Sequence, residues 1–197
     1  MRLIQRISNS TLVKSNTLIH IICILSVIGP VITVSAGFWD TISHLQKEPE
    51  FFWSPSHMIV YTGVSMITFA AVLGGILIIR KSVNSTLKTG IKLVMIGSVI
   101  QLISGFGDSL SHEVFGIDGL VSWSHQPLEM GLVLGSLGGL LILKNREHTK
   151  LKILLPFSIV TFLFFTMWLG FNMVLIFGHT IQCIPVYEIF SSGCAIL

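Results

Sequence analysis

The sequence predicts an all-α integral membrane protein with five transmembrane helices, of which the first four form a tandem parallel repeat of helical hairpins. Three observations support this prediction. First, 52% of the 197 residues are hydrophobic and only 11% are charged, whereas about a quarter of the residues in a soluble domain are charged. Second, the few charged residues leave five long stretches almost uncharged. Third, the chain contains an internal repeat.

The five uncharged stretches define the predicted helices. About 20 apolar residues, each adding about 1.5 Å of helix, are needed to cross the hydrocarbon core of a membrane. The stretches occupy 15–39, 51–79, 93–107, 126–143 (interrupted only by Glu129) and 153–178. The third stretch is short, so we expect its helix to continue past its polar ends. The prediction is one membrane domain over 1–197, with a fifth helix at 153–179 and a tail at 180–197.

The distribution of basic residues predicts the orientation in the membrane. Eleven of the twelve Lys and Arg residues precede the first helix or lie between the second and third or the fourth and fifth helices. The positive-inside rule places these segments and the N-terminus in the cytoplasm, and both hairpin loops and the C-terminus outside. The orientation in the membrane explains the excess of basic residues, so we do not expect nucleic-acid binding. A cleaved signal peptide is disfavoured, because the first apolar run is long for one and the repeat requires this helix.

The internal repeat has an offset of 68 residues. It aligns GFWDTISH at 37–44 with GFGDSLSH at 105–112 without a gap, and it aligns His57 with His125. The repeat units, 17–79 and 85–147, therefore each contain two helices. Parallel repeats place corresponding loops on the same side of the membrane.

Each repeat contains the pattern Asp-x3-His-x12-His. The four-residue spacing puts Asp40 and His44 on one helical face. Ser54 followed by Pro55 is typical of a helix start, which places His57 in the first turn of helix 2. Two antiparallel helices should therefore bring one Asp and two His together at the outer membrane boundary, once in each repeat. The six residues are Asp40, His44, His57, Asp108, His112 and His125.

Two imidazoles and one carboxylate form a set of metal ligands that leaves a coordination position open. An aspartate at the centre of a membrane helix costs about 2.5–3.5 kcal/mol on insertion scales, and a bound divalent ion would offset this cost. Imidazole suits copper, zinc, iron and nickel. The alternative is that the Asp and His residues only join neighbouring helices. Their duplication on one register favours metal in at least one repeat.

Three further residues are candidates for supporting roles. Glu129 follows His125 by four residues, so it is either an extra ligand, a carboxylate that orients His125, or an interfacial residue. Tyr61 occupies the same position in the first repeat. His179 ends helix 5 at the outer level, where it either joins a site or lies at the interface.

Two other groups lie near the outer boundary. Cys183 and Cys194 fall in the predicted tail and could pair in an oxidising compartment. The aromatic residues of helix 5, including Phe165 and Trp168, are expected to face lipid or the interface.

The motif, with its second His in the run Ser54-Pro55-Ser56-His57 and followed by Tyr61, resembles the copper-binding stretch of the C subunit of membrane-bound copper monooxygenases. These are the particulate methane and ammonia monooxygenases. The second set, which ends in His125 and continues with Glu129-Met130-Gly131, resembles that family's Asn-x3-His-x12 or x13-His set, with Asp108 in place of Asn. The similarity covers about residues 25–145 and is that of a distant relative or paralogue.

The resemblance implies copper at both sites in an all-helical subunit. Such a subunit works beside an A and a B subunit, within the lipid bilayer, to oxidise ammonia, methane or a short alkane with O2. Zinc or iron remains an alternative metal. The alternative functions are copper or zinc handling at the outer face, a purely structural membrane protein, and a zinc-dependent membrane hydrolase.

Overall fold

A computed structural model of the chain describes residues 15–46, 53–80, 83–115, 125–145 and 150–177. Within these residues all regular structure is helical, and five α-helices are long and apolar enough to cross a membrane. The predicted all-α membrane fold is therefore confirmed. The helices are α1 (Ser15–Leu45), α2 (Pro55–Arg80), α3 (Ser85–Phe115), α4 (His125–Lys144) and α5 (Leu155–Phe177), with a 3-10 helix (Lys150–Leu154) before α5.

Local sequence signals explain where two of the helices begin. Helix α2 starts at Pro55, as the Ser-Pro pair predicts, and the backbone carbonyl of Ser54 accepts the N–H of Met58 at 3.0 Å. Helix α3 starts after Asn84, whose side-chain Oδ1 accepts the N–H of Leu87 at 2.9 Å. Helix α3 also continues past both ends of its short apolar stretch, as expected, and its membrane-compatible segment has 26 residues.

Glycines let α1 and α2 cross closely. A Cβ atom added at Gly29 would lie 2.8 Å from the backbone oxygen of Gly63, and one added at Gly63 would lie 2.7 Å from the oxygen of Gly29. Only glycine permits this backbone approach, which is a common way for membrane helices to associate. The crossing holds the two helices of the first hairpin together.

Helices α3 and α4 cross in the same way. An added Cβ at Gly97 would lie 2.6 Å from the oxygen of Gly131, and one at Gly131 would lie 2.8 Å from the oxygen of Gly97. Gly97 and Gly131 are the residues that the 68-residue offset assigns to Gly29 and Gly63. The two hairpins thus use corresponding residues for their helix crossings.

The core lies among α1 to α4, and α5 packs on one side against α4 and α1. Ile22, Ile67, Ile91 and Ile142, one from each of the first four helices, are almost completely buried. Because each hairpin is antiparallel, the last turns of α1 and α3 lie at the same end of the bundle as the first turns of α2 and α4. We call this end, which carries Asp40, His57, Asp108 and His125, the site end.

Asparagines join α3 and α4 at the opposite end of the bundle. Asn84 donates from Nδ2 to Oδ1 of Asn145 at 2.7 Å, and Asn145 returns the bond at 3.1 Å.

Candidate metal centre

The first Asp–His pair lies between the end of α1 and the first turn of α2. The Oδ1 atom of Asp40 is 3.3 Å from Nε2 of His57, and Ser56 donates its hydroxyl to the same Oδ1 at 2.7 Å. Both members of the pair are partly buried. The helix start at Pro55 sets this geometry, because it puts Ser56 and His57 in the first turn, facing α1.

The second Asp–His pair repeats this arrangement between α3 and α4. The Oδ1 atom of Asp108 is 3.3 Å from Nε2 of His125, and both side chains are again partly buried. The same two atoms are therefore joined at the same distance in both hairpins. The structure thus brings together the Asp and the second His of each predicted set.

The first His of each set is only partly covered by the structure. The backbones of His44 and His112 belong to α1 and α3, one turn beyond Asp40 and Asp108, but their side chains lie outside the described residues. Among the described side chains no three His, Cys, Asp or Glu residues come close enough together to hold a metal ion. The predicted three-ligand sets therefore remain predictions.

The described part of each set has dimensions that suit a small metal ion. A tetrahedral ion with bonds of about 2.0–2.1 Å to nitrogen and oxygen separates neighbouring ligand atoms by about 3.3 Å. The Asp40–His57 and Asp108–His125 distances equal this separation. The same distance also suits an ion pair between a carboxylate and a protonated imidazole, so it fits both chemical roles.

Tyr61 lies close to the first pair and within electrostatic range of the second. Its ring centroid is 6.2 Å from that of His57 and 6.3 Å from that of Trp53, which it meets edge to face. The carboxyl groups of both Asp40 and Asp108 lie within electrostatic range of Tyr61. The sequence repeat alone does not reveal that Tyr61 lies near the carboxyl groups of both pairs.

Glu129 is buried at the interface between α4 and α5, with only 6% of its surface exposed. Its Oε1 accepts hydrogen bonds from Asn172 Nδ2 at 2.6 Å and from Trp168 Nε1 at 3.0 Å. It lies one helical turn from His125 and within range of the charge on that imidazole. Glu129 is therefore a fixed buried carboxylate next to the second pair.

Sequence reasoning did not identify the α5 partners of Glu129. Trp168 and Phe165 were expected to face lipid or the interface, but Trp168 binds Glu129 and Phe165 is buried. Asn172 was not identified at all, although an amide within an apolar helix is itself a signal of an internal hydrogen bond. The remaining candidates, His179, Cys183 and Cys194, lie outside the described residues.

Comparison of the chain with family models, with curated proteins and with solved structures gives no match.

Proposed function

We propose that the protein is a membrane metal-binding subunit with two sites at the site end of the bundle, and that its metal is copper. The proposed ligands are Asp40, His44 and His57 in one hairpin, and Asp108, His112 and His125 in the other. Copper is proposed because imidazole-rich sites favour it and because the motif resembles the copper-binding stretch of copper monooxygenase C subunits.

The observation that carries the proposal is the repeated Asp–His contact. Both hairpins hold a carboxylate oxygen and an imidazole nitrogen 3.3 Å apart, and the pairs correspond at an offset of 68 residues. Helix crossings at corresponding glycines support the same register. We therefore propose a tandem repeat in which each hairpin contributes one site.

We further propose that the site end faces the outside of the cell. Arg80 and Lys144 end the last turns of α2 and α4 at the opposite end of the bundle, which the positive-inside rule assigns to the cytoplasm. Metal would then reach the sites without crossing the membrane.

A bound copper ion would supply the capacity to react with O2, and the protein's own residues would set its surroundings. The Asp and His side chains would hold the ion, and the partly buried helix ends would limit its contact with water. By the resemblance, other membrane subunits would complete a monooxygenase complex that acts on ammonia, methane or a short alkane.

Elemental analysis of the purified, detergent-solubilised protein tests the metal. Copper, zinc and iron are counted per chain in the parent and in a variant with all six proposed ligands replaced by alanine. We expect copper in the parent and little in the variant. Equal copper in both proteins contradicts the proposal, and zinc in place of copper favours metal handling or hydrolysis.

A structural role for the Asp–His pairs is the second candidate, because their 3.3 Å distances also suit ion pairs. In that case His57→Ala and His125→Ala should lower the melting temperature of the protein without changing its metal content. Copper loading followed by a thermal melt separates the two roles, since a metal that binds only the folded state raises the melting temperature of the parent.

A further inference from the structure

The two candidate sites differ by one charge at corresponding positions. Four residues after His57 the first hairpin has Tyr61, and four residues after His125 the second hairpin has Glu129. Both residues therefore lie one helical turn beyond a proposed metal ligand. The first site has a neutral phenol where the second has a carboxylate.

The hydrogen-bond partners of Glu129 carry no charge. Asn172 and Trp168, which donate hydrogen bonds to its Oε1 atom, are both neutral. No described residue donates to its Oε2 atom. The stretches 126–143 and 153–178, which contain the carboxylate and its partners, have no Lys or Arg. A buried carboxylate in such an apolar environment is costly unless a positive charge lies close to it.

We propose that Glu129 makes the second site prefer a divalent ion more strongly than the first site does. This inference rests on the proposed metal-binding function. A divalent ion held by Asp108 with Glu129 nearby gives a site with no net charge. At the first site the only carboxylate among the proposed ligands is Asp40, so a monovalent ion such as Cu(I) gives the neutral combination.

Glu129 acts through space in this proposal and not as a ligand. The described residues contain no group of three potential ligands within reach of one ion, and Asp108, His125 and Glu129 are all described. Asn172 and Trp168 hold the carboxylate in place from α5, so its distance from the second pair is fixed. At the corresponding position of the first hairpin, the ring of Tyr61 contacts His57 and Trp53.

The test uses the full-length protein in a His57→Ala background, in which the first site is disabled. Affinities for Zn2+ and, under anaerobic conditions, for Cu(I) are measured by competition with chelators of known affinity. The variant is Glu129→Gln, which keeps the shape and an oxygen that accepts from Asn172 and Trp168. Met130→Leu is the matched control, because it changes the neighbouring, exposed position of α4 without changing charge.

We expect Glu129→Gln to lower the affinity for Zn2+ by about 100-fold and for Cu(I) by about tenfold, because the attraction to a distant charge scales with the charge of the ion. The Zn2+ to Cu(I) affinity ratio should therefore fall about tenfold, while Met130→Leu leaves it unchanged. Equal losses for both ions, or no loss, overturn the inference. If the His57→Ala protein binds neither ion, the proposed second metal site itself is overturned.

A second variant keeps the test decisive if Glu129→Gln does not fold. Trp168→Phe removes one donor from Glu129 and preserves the carboxylate. The loosened carboxylate should lower the same affinity ratio by a smaller factor, and an unchanged ratio overturns the inference.

Discussion

The two hairpins have the same geometry but different surroundings. Each crosses at a pair of glycines and brings an Asp Oδ1 to 3.3 Å from a His Nε2. The first pair is supported from its own hairpin, because Ser56 bonds Asp40 and the Tyr61 ring lies beside His57. The second pair has Glu129 as its neighbour, which α5 holds in place.

Helix α5 therefore makes the surroundings of the two Asp–His pairs unequal. Helix α5 has no counterpart in the repeat, and it packs on α4 and α1. Hairpins with corresponding residues can therefore hold Asp–His pairs of the same geometry in surroundings of different charge.

The largest effect is expected from the proposed Asp ligands. Asp40→Ala and Asp108→Ala should each lower copper affinity by more than about 100-fold at the altered site, because loss of a supporting group already costs about 10–100-fold. The other site should keep its affinity. Copper titration against a chelator checks this, and a loss at both sites from either variant would show that the hairpins form one site.

Asn172→Leu should destabilise the protein by about 1.5–3 kcal/mol, because it removes a hydrogen bond to a buried carboxylate. Thermal unfolding in detergent, followed by circular dichroism, measures the loss. The matched control is Phe171→Leu, an adjacent and exposed position on α5. Equal melting temperatures for the two variants would show that the Glu129–Asn172 contact contributes nothing to stability.

The two glycine crossings should be equally sensitive to added bulk. Gly63→Ala and Gly131→Ala place a Cβ against the backbone of the partner helix, so each should cost about 1–3 kcal/mol of stability. Gly170→Ala is the control, since an added Cβ there meets nothing within 4 Å. Unequal costs at Gly63 and Gly131 would argue that the hairpins are not equivalent in packing.

The smallest effect is expected for Ser56→Ala. The variant removes the hydroxyl that bonds Asp40 at 2.7 Å, so copper affinity at the first site should fall by about tenfold. The second site should not change. Ser35→Ala is the control, because the Ser35 hydroxyl bonds only its own helix backbone at Val31. A loss as large as that for Asp40→Ala would mean that Ser56 does more than position the carboxylate.

The fold and half of the site geometry could be predicted from the sequence. Uncharged stretches determine the five helices, and the Ser54-Pro55 start fixes which residues of α2 meet α1. Corresponding spacing in the second repeat then predicts the Asp108–His125 contact. These features depend on local sequence and on helix geometry, so they can be predicted without knowing how the helices pack.

The contacts of α5 could not be predicted in the same way. This helix is largely apolar, and although the amide of Asn172 signals an internal hydrogen bond, the sequence does not identify its partner. The side chains of Trp168 and Asn172 reach Glu129 only because of how α5 packs on α4. The position of Tyr61 near both carboxylates likewise depends on the packing of α2 against α3.

The most direct test of one metal site in each hairpin is a copper count per chain in the parent, in His57→Ala, in His125→Ala and in the double variant. We expect two copper ions in the parent, one in each single variant and none in the double variant. Copper content that does not respond to either substitution would contradict the assignment of Asp40–His57 and Asp108–His125 as metal-binding pairs.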